Sequence, residues 1–349
     1  MSYTNGLDNP ELYFQTKLYT GNGGTQSITF DGSENMQPDW VWLKQRANDV
    51  SNRNHMLFDS VRGTQKALSS NTTGAEDSST SYLTSYDSDG FTVGASSVLN
   101  RNTTTYSSWN WLGANGTASN SDGSITSSVS ASTTAGFSIV SFTGTGANAT
   151  IGHGLGVAPN VVITKNRDNA RNWIYGGDNI AWTKYMILNL TNASASANNA
   201  WNDTAPTSSV VSLGSSTVTN ESSAEMIAYC FAEKTGYSKF GSYTGNGNAD
   251  GTFVYTGFKP AWIICKRSSG TGNWQMFDSK REGYNVDNDG LQANLSNAEA
   301  TDDDLDILSN GFKFRGTGND LNGSGSTYIY MAFAENPFVN SNGVPTNAR

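Results

Sequence analysis

Two acid–arginine pairs recur in this chain at matching places in a repeated motif. FDSVRG and FDSKREG place Asp59 three residues before Arg62, and Asp278 three residues before Arg281. A carboxylate beside a guanidinium could act as a catalytic acid whose pKa the arginine sets. A glycoside hydrolase, however, needs two carboxylates about 5–10 Å apart, and no second acid recurs with these pairs. The pattern therefore favours an ion pair at a turn or strand edge, and we predict that the protein is not an enzyme.

Histidine and cysteine offer little further chemistry. His55 and His153 are the two histidines of the chain and stand at non-equivalent positions, so a nucleophilic triad or a multi-histidine metal site cannot be assembled. Cys230 and Cys265 each lie inside an apolar run, which predicts buried free thiols.

Asp–Gly turns raise the question of a cation site. SYDSDG (85–90) and NVDNDG (285–290) imitate the start of a calcium loop but lack the glutamate that closes an EF-hand. We predict hairpin turns and a solvated acidic face, with no metal and no cofactor. Further oxygen ligands for a cation could come from Asp302, Asp303, Asp304 and Asp306.

Tryptophans could instead form a sugar-binding surface, because aromatic faces stack on apolar ring faces. The alternative is a buried strand in PDWVWLKQR (38–46), with Trp40 and Trp42 on one face. Val161 and Ile163 replace these two tryptophans in a related stretch, which favours the core. The candidate glycan contacts are Trp40, Trp42, Trp173 and Trp274.

Composition limits the partners of the chain. Its 349 residues carry a formal net charge of -9, and Lys and Arg are not clustered, so we predict no nucleic-acid partner. Apolar runs are far shorter than the roughly 20 residues of a membrane span, and the first residues lack the features of a secretion signal. We therefore expect synthesis in a cytoplasm, without membrane insertion.

Repetition organises the sequence. The stretch that begins at Pro38 returns as PNVVITKNR (159–167) and PAWIICKRS (260–268), and a lysine follows each proline by six residues. Three tandem units are predicted, followed by a C-terminal tail at 339–349. The units cover residues 17–113, 136–234 and 237–338 and are called units 1, 2 and 3.

Two further segments complete the predicted organisation. Residues 114–135, rich in Ser, Thr, Gly and Asn, are predicted to be a flexible linker that lets unit 1 move more freely than the others. Residues 1–16 are predicted to be an N-terminal docking segment that acts through Leu12, Tyr13 and Phe14.

Short runs of β-branched and aromatic residues alternate with Asp–Gly and Asn–Gly turns in every unit. Helical periodicity is nearly absent. The fold predicted is all-β, with three tandem antiparallel β-sandwich (jelly-roll-like) units and few or no helices.

The order PDWVWLKQR, LFDSVRG, DGFTVG and an aromatic closing strand resembles a repeated domain of tail-fibre and other virion surface proteins of marine and cyanobacterial phages. The resemblance covers most of unit 1 and the outline of unit 3, whereas unit 2 departs from it at the FDS and RG positions. It implies a tail-fibre or surface-appendage protein of the virion that takes part in receptor recognition.

The partners that this resemblance implies are other virion proteins, a host-surface glycan or outer-membrane protein, and further copies of the chain in a homotrimer by analogy with fibres. A capsid decoration or tail-knob protein is the first alternative, and a polysaccharide depolymerase is the second.

Overall fold

The computed structural model describes residues 7, 9–46, 52–282, 284–287, 289–301 and 305–336. Its sheets are antiparallel, and helices are limited to single turns, which confirms the predicted all-β class. The predicted C-terminal tail and Asp302, Asp303 and Asp304 lie outside the described residues.

Unit 1 follows a 3-10 turn at Pro10–Leu12 and has nine strands. They are β1 (Phe14–Thr20), β2 (Gln26–Ile28), β3 (Trp40–Gln45), β4 (Met56–Asp59), β5 (Lys66–Ala67), β6 (Asp77–Ser78), β7 (Leu83–Asp87), β8 (Gly90–Val93) and β9 (Thr105–Trp111).

Unit 2, which in the structure also includes the hairpin of residues 118–132, has ten strands and two short helices. The strands are β10 (Ala118–Asn120), β11 (Ser127–Ser132), β12 (Phe137–Thr143), β13 (Ala149–Gly152), β14 (Val161–Asn166), β15 (Ile174–Gly177), β16 (Lys184–Ile187), β17 (Ala195–Ser196), β18 (Val210–Leu213) and β19 (Glu225–Phe231). The helices are α1 (Asn198–Trp201) and α2 (Thr217–Asn220).

Unit 3 repeats the pattern of unit 1 with eight strands. They are β20 (Ser238–Thr244), β21 (Phe253–Tyr255), β22 (Trp262–Arg267), β23 (Trp274–Asp278), β24 (Leu291–Gln292), β25 (Leu305–Leu308), β26 (Gly311–Phe314) and β27 (Thr327–Phe333).

Each unit pairs the same four strands into an inner sheet. The order is β1-β9-β3-β4 in unit 1, β12-β19-β14-β15 in unit 2 and β20-β27-β22-β23 in unit 3. A smaller sheet lies outside each one, namely β2-β8-β7, β13-β18 and β21-β26-β25. Because apolar residues of each pair of sheets share a local core, every unit is a two-layer sandwich.

The signature strand of each unit, β3, β14 or β22, is apolar on both faces because it has a core on each side. Trp40 and Trp42 lie in a central core, whereas Val41 and Leu43 lie in the local core of unit 1. The predicted alternation of side chains along this strand is therefore confirmed.

The central core joins all three units. The inner faces of the three inner sheets meet in one hydrophobic cluster. Trp40 contacts Tyr229 of unit 2 with ring centroids 4.6 Å apart, and Phe333 of unit 3 contacts both Trp111 of unit 1, at 5.5 Å, and Phe231 of unit 2, at 5.9 Å. The three units therefore close a ring around a shared core rather than following one another along a line.

The segment 114–135 is not the flexible linker that its composition predicted. Strand β11 pairs with β12 from Ser128↔Ser141 to Ser132↔Phe137, and β10 pairs with β11. The segment is thus a hairpin that extends the inner sheet of unit 2. Its small polar residues suit a sheet edge as well as they suit a linker, because exposed edge positions need no apolar side chains.

The prediction that Leu12, Tyr13 and Phe14 form a docking surface is wrong for Phe14, whereas docking of the segment onto a virion stays a prediction. Phe14 opens β1 and is fully buried in the central core, with its ring 4.9 Å from that of Trp111. Tyr13 packs edge-on against Tyr237 of unit 3 at 6.4 Å, and Leu12 is half-buried. Phe14 is therefore not available for docking, and the first strand of unit 1 begins three residues before the predicted boundary at residue 17.

Within the described part of the chain, no helix has the length and apolar character needed to cross a bilayer.

Candidate functional site: the seams between the units

The four tryptophans considered as glycan contacts are all buried. Their exposed fractions are 2% for Trp40, 1% for Trp42, 0% for Trp173 and 2% for Trp274. Sugar stacking on these rings is therefore excluded, and the alternative of a core strand is confirmed. The structure instead places Trp173 and Trp274 at the contacts between units, which we call the 1–2, 1–3 and 2–3 seams.

A buried ring nitrogen crosses each seam to a backbone carbonyl. Trp173 Nε1 of unit 2 donates to Ser69 O of unit 1 at 2.8 Å, and Trp274 Nε1 of unit 3 donates to Ile187 O of unit 2 at 3.0 Å. His55 holds the matching position in unit 1, and its Nε2 atom lies 3.1 Å from Gln292 O of unit 3. Trp42 Nε1 donates to His55 Nδ1 at 2.9 Å, so His55 carries its proton on Nε2.

The signature lysine of each unit makes a second crossing. In each case the lysine Nζ donates to a backbone carbonyl of the neighbouring unit. Lys44 donates to Ser296 O at 3.2 Å, Lys165 to Thr73 O at 3.1 Å, and Lys266 to Thr191 O at 3.1 Å. Burial lowers the pKa of each of the three lysines to about 8. In both the ring-nitrogen and the lysine contacts, unit 1 donates to unit 3, unit 2 to unit 1 and unit 3 to unit 2, so these six contacts run in one rotational direction. This is the heterologous geometry of a closed ring.

The recurrent acid–arginine pair forms the centre of a buried cluster at the 1–2 seam. Arg62 pairs with Asp59, both with side chains 0% exposed, and its NH1 lies 3.2 Å from Glu76. From unit 2, Tyr229 OH donates to Asp59 Oδ2 at 2.7 Å and Arg167 Nε donates to Glu76 Oε2 at 3.0 Å. Two carboxylates of unit 1 therefore accept hydrogen bonds from two donors of unit 2 across the seam.

The 1–3 seam repeats this cluster with matching residues. Arg281 pairs with Asp278 at 2.6 Å and with Glu299 at 2.9 Å. From unit 1, Trp109 Nε1 donates to Asp278 Oδ2 at 3.0 Å and Arg46 donates to Glu299 Oε1 at 2.7 Å. The prediction that the recurrent pairs are ion pairs beside turns is confirmed, and their position inside the seams is new.

The 2–3 seam has lost the whole cluster. Strand register and spacing place five other residues at the positions of the cluster. The backbone hydrogen bond of the other two seams is kept, because Ser194 N donates to Ser268 O at 3.0 Å. Met331 and Ile180 belong to the central core, so apolar packing replaces the charges. Gly177 stands for the aspartate, Ile180 for its arginine, Ser194 for the glutamate, Ser268 for the arginine across the seam and Met331 for the aromatic donor.

Unit 1 therefore differs from the other two, because it carries both halves of the polar seam. It supplies the donors Arg46 and Trp109 toward unit 3 and the acceptors Asp59 and Glu76 toward unit 2. Unit 2 has the donor half alone, and unit 3 has the acceptor half alone.

The charges of these clusters are coupled to one another. Burial opposes the charge of Arg62, but Asp59 outweighs this and raises the pKa of the guanidinium above its ordinary value. Burial would likewise raise the pKa of Glu76, yet hydrogen bonding by Arg167 and the charge of Arg62 lower it. Both groups are therefore ionised at neutral pH and stabilise the seam as ions.

Three Asn-x-Ser/Thr triplets hold the loops whose carbonyls accept hydrogen bonds from the signature lysines at the seams. This role was not predicted from the sequence. The side-chain oxygens of Asn71, Asn189 and Asn294 accept the backbone N–H of His55, Trp173 and Trp274 at 3.0, 2.8 and 2.8 Å. The recurrence of the triplet 16, 16 and 20 residues after His55, Trp173 and Trp274 is the available signal, but the triplet is also frequent by chance in a chain rich in Asn and Thr.

The Gly-rich turns at the start of each unit are tight turns, as their sequences indicate. Gly23, Gly146 and Gly247 have φ of 75°, 71° and 67°, a left-handed conformation that glycine adopts without steric cost. Among the described residues, no group of three or more His, Cys, Asp or Glu side chains could hold a metal ion. Both cysteines are buried free thiols, which confirms their predicted state.

The outer surface differs from one unit to another. Among the described residues, the exposed large aromatic side chains are Phe253 at 44%, Tyr255 at 64% and Tyr284 at 64%, and all three belong to unit 3. Unit 1 instead has an open cleft of about 210 Å³ beside the hairpin of β5 and β6, which includes Arg53, Asp77 and Tyr82.

These features define an all-β protein in which three sandwiches close a ring around one core. The chain belongs to the family described as a domain of unknown function (DUF7483), whose model matches residues 9–337. The match includes all three units, so the domain that defines the family corresponds to the complete ring. No curated protein sequence matches the chain significantly.

Proposed function

We propose that this protein is a structural component of a phage virion, a tail-fibre or surface-appendage protein that takes part in host receptor recognition. The main support is the position of the residues that recur between units. The acids, arginines, lysines and tryptophans that recur between units are buried in seams and core, where they fix three sandwiches to one another. The outer strands and loops are left to differ between units, as a recognition surface requires.

A structural role for the recurrent acids also supports a protein without catalytic activity. Asp59 and Asp278 are each 0% exposed and each is paired with an arginine three residues away. The homotrimer expected by analogy with fibres remains a prediction, because a single chain already places three units around one core.

Immunogold electron microscopy of virions with an antibody against the purified protein tests the location. Labelling at fibres or appendages is expected. Labelling spread over the capsid would favour the decoration alternative, and an unlabelled virion would contradict the proposal.

Competition for adsorption tests the recognition role. Purified protein is added to host cells before the phage, and slower adsorption is expected in proportion to its concentration. Heat-denatured protein at the same concentration is the control. Protein that neither binds the cells nor slows adsorption contradicts a receptor role.

A further inference from the structure

We infer that the open cleft of unit 1 is a saccharide-binding site. The ligand class is a sugar ring with several hydroxyl groups, at the end of or within a host-surface glycan. The inference rests on the proposed function in its choice of a host glycan, whereas the cleft itself is defined by residues 52–98.

The lining of the cleft is mostly polar but includes apolar side chains and one fixed aromatic ring. Met56 and Ala67 are buried, and Val98 is half-buried. The ring of Tyr82 packs edge-on against Phe58, with centroids 6.0 Å apart and planes at 69°. Apolar surface with an aromatic ring matches the C–H face of a sugar.

The orientation of Tyr82 is fixed from its other end. Its OH donates to Asp77 Oδ2 at 2.7 Å. Burial, together with this hydrogen bond and the charge of Asp77, raises the pKa of Tyr82 to about 12, so the phenol keeps its proton at neutral pH. A ring held at both ends loses little freedom when a ligand stacks on it, which favours affinity.

The rim carries planar polar groups suited to hydroxyls. Arg53 and Asn54 lie in the segment before β4, and Asp77 lies in β6. The Oδ1 atom of Asn54 accepts a hydrogen bond from Asn71 Nδ2 at 2.8 Å, which fixes the plane of its amide. A guanidinium, an amide and a carboxylate together offer donors and acceptors for neighbouring hydroxyls of one ring.

Size and openness also suit this class of ligand. The cleft has a volume of about 210 Å³ and opens to solvent, below the range of about 300–1,000 Å³ typical of sites for drug-sized ligands, which limits the ligand in the cleft to a small molecule such as a single sugar ring. The cavity at the centre of the ring has about 10 Å³, which is barely the space of one water molecule. The groove beside β10 is lined by small residues such as Ala118, Ser119 and Ala131.

The test uses the full chain and a panel of glucose, N-acetylglucosamine and glucuronic acid, with binding followed by saturation-transfer NMR. Binding of at least one sugar is expected, and Tyr82→Ala should weaken it at least tenfold. Tyr255→Ala is the matched control, because it removes an exposed tyrosine from unit 3 and should leave the affinity unchanged.

Asp77→Ala provides a second variant, which keeps the Tyr82 ring and its contact with Phe58 but removes the acceptor of its OH. Its side chain is exposed, so the fold should be retained, as far-UV circular dichroism will show, and the affinity should fall severalfold. The inference is overturned if none of the three sugars binds, or if Tyr82→Ala and Asp77→Ala both bind as the wild type does. Loss of binding in Tyr255→Ala alone would move the site to unit 3 and also overturn it.

Adsorption competition separates this inference from the proposed function. If wild type and Tyr82→Ala slow adsorption equally, the recognition role stands and the cleft is not its site. If wild type binds a sugar through Tyr82 but does not slow adsorption, the cleft assignment stands and the receptor role fails.

Discussion

The 1–2 and 2–3 seams join equivalent faces of equivalent sandwiches by different means. Both keep the lysine, ring-nitrogen and backbone crossings. The 1–2 seam adds a buried cluster around Asp59 and Arg62, whereas the 2–3 seam has Gly177 and Ile180 there and packs Met331 in the core.

The difference teaches that the cluster is kept or lost as a whole. A carboxylate with no exposed surface is costly without its cation and donors, so losing one member makes the others unfavourable. An apolar replacement of the complete set removes the desolvation cost together with the attraction. The 2–3 seam shows this end state, and the four predictions below test the comparison.

The largest effect is expected from Arg62→Met. This change leaves Asp59 buried without its guanidinium, so the free energy of unfolding should fall by about 3–5 kcal/mol. Ile180→Met at the matching position of unit 2 is the control and should cost less than about 1.5 kcal/mol. Urea unfolding followed by tryptophan fluorescence measures both, and equal losses would contradict the comparison.

Tyr229→Phe should cost about 1.5–3 kcal/mol, because it removes a hydrogen bond to a charged acceptor across the seam. Tyr175→Phe is the control within the same unit, since its OH meets the neutral amide of Asn179. That loss should be about 1 kcal/mol. A larger loss for Tyr175→Phe would show that the charge of Asp59 is not what matters.

Copying two residues of the 2–3 seam, Gly177 and Ile180, into the 1–2 seam should recover part of the stability lost in a single variant. The double variant Asp59→Gly/Arg62→Ile should be more stable than Arg62→Ile alone by about 1–2 kcal/mol, because it no longer buries an unpaired carboxylate. Unfolding of the wild type, both single variants and the double variant completes the cycle. Additive losses would contradict loss of the cluster as a unit.

The smallest effect is a pH dependence. Because the pKa of Glu76 is lowered in the folded protein, its contribution is present above the unfolded value of about 4.3 and is lost as pH falls through the folded value. Wild type should exceed Glu76→Gln in stability by about 1 kcal/mol near pH 7, and the difference should disappear in acid. For Ser194→Ala, in the 2–3 seam, the difference from wild type should not change with pH.

Much of the local structure could be predicted from the sequence. Alternation in β3 placed Trp40 and Trp42 on one face, and the spacing of Asp59 and Arg62 indicated an ion pair. What failed was the assignment of partners at a distance. A strand that is apolar on both faces requires a cover on each, but the pattern does not say that another unit supplies it, so the ring was not predicted.

The same limit explains the two wrong assignments. Phe14 stands next to a polar N-terminus and was assigned to docking, although its cover comes from Trp111 and Phe333. The residues of β10 and β11 are small and polar, which fits an edge hairpin and a linker equally. The cleft of unit 1 was also missed, because its residues are separated in sequence and meet only after folding.

The presence of both halves of the polar seam in unit 1 bears on how such a chain can evolve. In a ring of identical copies every seam has the same sequence, so a change harmful in one place is harmful in all three. Fusion of the copies into one gene removes that constraint. Each seam can then vary alone, and the outer surface of one sandwich can specialise while its neighbours keep the ring closed.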